Sequence, residues 1–257
     1  MNMSRASRRA AHSVIRFVCA FAFLASLSPA NAEDARPSRE AGVVFALSLG
    51  GKLYDNHFVM TETEEPKGLN PDYPDNVSAG YLGTWRCVSC HGWDYRGAEG
   101  ERGKLATSSA FKSLAPMAEL EPSAVQARFA GAHPELIEGG LTEQAARLVS
   151  LFLSGGQIDR DAVLDKEGKA KGKAEDGQMI YEGACMNCHQ VDGRAFLRGE
   201  AGDKPSLGWV SRNRPEQVLH KIMNGFPGTD MLAMRFLDQN SIADLVAYLQ
   251  TLDPGQK

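Results

Sequence analysis

Cys87-Val88-Ser89-Cys90-His91 and Cys185-Met186-Asn187-Cys188-His189 share one pattern, Cys-x-x-Cys-His, used twice in a chain of 257 residues. The spacing is that of c-type haem attachment. Two thiols this close can each add to one vinyl group of a haem and form two thioethers. The adjacent imidazole then supplies the proximal nitrogen to the iron. Cys87, Cys90, Cys185 and Cys188 are thus the expected attachment points of two covalent haems c. His91 and His189 are the expected proximal ligands. What remains for the chain is to choose the second ligand, the local dielectric and the solvent access.

The cysteine count sharpens this. There are five Cys, and only Cys19 lies outside the two motifs. Two disulfides would use four Cys in an exported protein, but they explain neither the shared spacing nor the His after each pair. A four-Cys zinc site usually brings its second pair within a few tens of residues, whereas Cys185 follows Cys87 by 98 positions.

The N-terminus supplies the compartment. Arg5, Arg8, Arg9 and Arg16 make a basic start, residues 17–27 are apolar but short for a bilayer span, and Ala30-Asn31-Ala32 is a small-x-small cleavage pattern. Residues 1–32 read as a secretory signal peptide, which places the mature chain in the periplasm. An uncleaved anchor is the rival reading. Cleavage removes four Arg and no acidic residue, so the net charge moves from −4 to −8. An acidic surface does not suit nucleic acid. No other stretch is long and apolar enough to span a membrane, so the mature protein is expected to have no integral span.

An internal repeat organises the remainder. Ala145, Leu148, Val149 and Phe152 have the i, i+3, i+4, i+7 spacing of one helix face, and Ile242, Leu245, Val246 and Leu249 repeat it 97 positions later. Thr142 and Asp238 are the expected N-caps of these closing helices. Middle helices are expected near 122–129 and 215–224, each opening with Pro. The expected division is residues 33–76 as an irregular N-terminal extension broken by Gly50-Gly51, 77–158 as a first helical domain, 159–176 as a charged, solvated linker and 177–257 as a second domain.

The distal ligands follow from the repeat. Met231 and Met234 lie between the middle and closing helices of the second half, and Met231 is favoured over Met234. Subtracting 98 from Met231 gives His133; from Met234 it gives Leu136, which cannot ligate. The first iron is therefore expected to be His91/His133 and the second His189/Met231. His57 and Met117 are alternatives at the first. A second imidazole favours Fe(III) and a thioether Fe(II), so the two potentials should differ.

At these residues the second half, from Gly177 and Tyr181 through Cys185, Cys188, His189, Gly193 and Met231 to Tyr248 and Leu252, resembles a class I cytochrome c domain. The first half resembles it through Trp85, Cys87, Cys90, His91 and the closing helix, with His133 in place of the Met. The whole is similar to tandem dihaem cytochromes c of bacterial periplasms. The resemblance implies an all-α fold of two cytochrome c-like domains with exposed haem edges, and electron transfer between redox partner proteins. An enzyme is the alternative: a dihaem peroxidase, or an oxidoreductase (or its haem subunit) acting on a small sulfur or nitrogen compound. That would need an iron that opens. A haem-based sensor would need an attached signalling module.

Overall fold

A computed structural model describes residues 36–74, 77, 83–104, 111–138, 141–195 and 205–255. The expected signal peptide, residues 1–32, lies outside them. Among the described residues the fold is helical, with no strand beyond a single antiparallel bridge between Leu164 and Ala170.

Two helix crossings build it. In the first, α1 (Arg36–Thr61) packs on α5 (Glu143–Gly155); in the second, α7 (Ala174–Ala184) packs on α11 (Gln239–Leu249). Each is made by a Gly followed four residues later by a buried Tyr. A Cβ on Gly50 would run into the Leu148 carbonyl oxygen, and one on Gly177 into that of Asp244. Tyr54 then packs on Phe152, with ring centres 5.7 Å apart, and Tyr181 on Tyr248 at 5.2 Å. Thr142 caps α5 by accepting from Ala145 N–H, and Asp238 caps α11 by accepting from Ser241 N–H. Caps, Gly contacts and ring pairs all place the closing helices 96 positions apart, not the 97 read from apolar spacing. Helical stripes one residue apart overlap, so periodicity alone does not fix the register.

The N-terminal extension is not irregular. Gly50, Leu53, Tyr54 and His57 have i, i+3, i+4, i+7 spacing and are all buried, so the stripe of α1 runs through the Gly pair read as a break. Gly costs helix propensity, but here it lets two backbones approach. The helix is interrupted only at Asn56, whose φ of −155° is not helical and whose Oδ1 accepts from Val59 N–H at 3.3 Å, capping the last turn.

Residues 159–176 are not a solvated linker. Asp159 caps α6 (Arg160–Val163), and Asp165 Oδ1 accepts from Glu167 and Lys169 N–H in a tight turn. Arg160 turns in to pair with Glu216 at 2.9 Å and most of the other charges face outward, while Val163, Leu164 and Ala170 are buried in the second core. Gln250 holds the segment through Ala170 N–H and the Gly168 carbonyl, and Asp244 accepts from Lys173 N–H. Two middle helices, α3 (Pro122–Ala132) and α10 (Pro215–Asn224), begin at Pro as expected. Short helices α2 (Cys87–His91), α4 (Pro134–Glu138), α8 (Met186–His189) and α9 (Leu207–Asn213) complete the α-helices among the described residues, beside 3-10 turns at Gly97–Glu99, Glu101–Lys104 and Ala115–Glu119.

Besides packing on α5, α1 joins the two halves, because it also packs on α10. Asn224 lies against Gly51, and His220 Nε2–H donates to the Gly51 carbonyl at 3.0 Å. His220 Nδ1 accepts from Tyr95 O–H at 2.9 Å, and burial pushes this imidazole down to about 3. Arg235 donates to the Gly156 carbonyl at 2.7 Å and so ties the 225–235 loop to the end of α5.

Candidate haem sites

The first motif forms α2 and walls a cleft with about 970 Å³ of empty space, including its open mouth. Cys87, Cys90 and His91 face this cleft, as do Met117 and Val125. His91 Nδ1 lies 2.7 Å from the Lys112 carbonyl, which fixes that nitrogen as the N–H donor and frees Nε2 for a metal. Burial pushes His91 down to about 4, the neutral form a ligand requires.

His133 lies across the same cleft. It follows the last residue of α3, and Pro134 after it forces the chain out of helix before α4 begins. Its Nδ1 is 3.1 Å from Glu135 Oε1, so this ring is also oriented by a partner that leaves Nε2 free. The His91 and His133 ring centres are 6.2 Å apart, with planes at 82°. Two imidazoles binding one metal from opposite sides at about 2 Å put their ring centres about 6 Å apart. Lys112 and Arg128 line the cleft as well and suit the propionate carboxylates of a haem, while Arg86 lines it with its guanidinium held on Asp55. Thiol pair, anchored imidazoles, apolar wall and basic lining together fit a covalently attached haem.

Of the alternatives, Met117 lines the cleft and His57 does not. His57 is buried against Phe58 at 3.9 Å between ring centres, and burial, with Arg86 nearby, holds it down to about 4.

The second motif repeats the local geometry of the first. Tyr54 O–H donates to the Gly92 carbonyl at 2.6 Å, and Tyr181 O–H to the Gln190 carbonyl at 2.5 Å. Each acceptor directly follows the motif His. Both take a positive φ, 77° at Gly92 and 61° at Gln190. His189 is half-buried and its pKa is lowered by burial. Met234 is 6% exposed and packs in the second core, its N–H donating to the Ile222 carbonyl at 2.9 Å. Met231 is half-buried on the loop, its N–H donating to Thr229 Oγ1 at 3.3 Å. Burial pushes the thiols up, Cys87 to about 12 and Cys90 and Cys185 to about 11.

Sequence reasoning missed Tyr54, Lys112 and Glu135. Glu135 had a signal, standing two residues after His133. The others come from distant segments, and no local pattern announces them.

Residues 172–249 match the family model described as cytochrome C oxidase, cbb3-type, subunit III. No curated protein and no solved structure matches the chain. The match supports a c-type cytochrome: a haem protein with covalent haem c, electron transfer as its activity and redox partners in general. No helix among the described residues is long and apolar enough to cross a membrane.

Proposed function

We propose that the chain is a periplasmic dihaem cytochrome c that carries electrons between redox partner proteins. Two cytochrome c-like units stand in tandem, the first contributed by α1 through α5 and the second by α6 through α11. The observation that carries the reading is the His91/His133 pair, two imidazoles facing each other across the first cleft, each with Nδ1 held and Nε2 free. The first haem is then bound by Cys87 and Cys90 with His91 and His133 on its iron. The second is bound by Cys185 and Cys188 with His189 and Met231. Met234 packs in the second core, and Met231, half-buried on the loop, is the sulfur favoured for the iron. With both irons six-coordinate, neither has a position for substrate. The inequivalent ligands set two potentials, the Met-ligated haem above the bis-imidazole one.

A second reading draws on the description of the matching family, an oxidase subunit: the chain passes electrons within a larger oxidoreductase. Haem count and ligand exchange test the carrier reading. Pyridine haemochrome assay of the purified protein should give two haems per chain, and the reduced protein should bind no CO under mild conditions. Rapid CO binding at one haem would move the reading to an enzyme.

A further inference from the structure

Beneath the first cleft lies an ion cluster for which electron carriage alone gives no role. Asp55, on α1, is fully buried. Arg86 donates to it twice, from Nε to its backbone carbonyl at 2.7 Å and from Nη2 to Oδ1. Lys221, on α10, donates from Nζ to Oδ2. Lys221 Nζ also lies 3.6 Å from the Phe226 ring centre and 5.2 Å from that of Trp93.

The placement joins two sites. Arg86 immediately precedes Cys87 and lines the first cleft. Trp93 stands two residues after His91. Lys221 belongs to the other half and is four residues from the Gly225 that opens the methionine loop. Two cations meet on this one carboxylate, and Lys221 is the one that the second half contributes. In an interior of low effective dielectric, such charge acts on a nearby redox centre far more than it would in water. Stability alone does not require this composition, since a buried ion pair is often no better than packed apolar side chains.

We propose that Lys221, carried by the second half, is a positioning and tuning residue of the first haem site: with Asp55 and Arg86 it holds positive charge against the attachment motif and raises that haem's electron affinity. The proposal rests on the reading of the first cleft as a haem site. Bis-imidazole ligation lowers a potential and Met ligation raises one. A cation supplied by the Met-ligated half offsets part of that difference and makes the step between the two haems less steep.

The test is a spectroelectrochemical titration of the full haem-loaded chain. Lys221→Gln keeps a donor to Asp55 and removes the charge. It should shift the first haem's reduction equilibrium on the order of tenfold toward Fe(III), which is 59 mV for one electron. The second haem should move less, and Lys221→Arg should titrate like the wild type. An unshifted first haem in Lys221→Gln, or an equal shift in Lys221→Arg, would overturn the proposal. If Lys221→Gln loads no haem, Asp55→Asn/Lys221→Gln removes one charge of each sign and should stay within about twofold of the wild type; a tenfold shift there overturns it. Haem count and spin state are read first. A chain with one haem, or a first iron without two imidazoles, sinks the underlying reading and the proposal with it.

Discussion

His133 draws its meaning from its neighbours. Pro134 ends α3 beside it, and Glu135 reaches back to its Nδ1 at 3.1 Å. The sequence proposes the first motif's residues from their spacing and this His from a 98-residue register, and both line one cleft. The carbonyl that orients His91 was not legible there, because Lys112 is 21 residues from it and contributes backbone, which no side-chain pattern encodes. In the second half the choice between sulfurs is a residue-scale question. Met231→Ala should abolish the thioether-to-iron charge-transfer band of the oxidised protein and open that haem to CO. Met234→Ala should keep the band and lose about 2–5 kcal/mol of stability as a core truncation. Absorption spectra and denaturant unfolding of the two variants separate these outcomes, and the reverse pattern would exchange the two roles.

At the scale of elements, α1 is the lesson. Its apolar stripe was present in the sequence, but Gly50-Gly51 read as a terminator, and Tyr54 stands 33 positions before Cys87 where Tyr181 stands four before Cys185. The intervening residues concealed the counterpart of α7. Segment 159–176 was obscured differently: its charges dominated the composition, while three buried side chains fixed its course. The crossing makes a paired prediction. Gly50→Ala places a methyl against the Leu148 carbonyl and the Phe152 Cβ and should destabilise by about 1–3 kcal/mol despite better helix propensity. Gly42→Ala, on the same helix with nothing within 4 Å, should be neutral or stabilise by up to about 1 kcal/mol. Equal effects in denaturant unfolding would contradict the crossing.

Over the whole molecule, the halves share a buried seam of Tyr95, His220, Gly51 and the Asp55 cluster. Its histidine predicts acid sensitivity. Burial holds His220 down to about 3, whereas in the unfolded chain it titrates near about 6.5. Between those values the unfolded state binds more protons. Stability therefore rises with pH across the window and is lost as pH falls below about 6.5. Guanidinium unfolding at about pH 6.5 and about pH 4.5 should show this loss, and His220→Gln should be less stable overall but fall less steeply, by about one proton's worth, 1.4 kcal/mol per pH unit. Parallel slopes would remove His220 from the account.

The central claim is that one haem iron sits between His91 and His133. The most direct measurement is electron paramagnetic resonance of the oxidised full-length protein, wild type against His133→Ala, with haem counted in both. The account predicts two low-spin haems per wild-type chain. It predicts one low-spin and one high-spin haem in His133→Ala, the high-spin centre binding CO when reduced. A low-spin signal unchanged by His133→Ala, at unchanged haem content, would contradict it.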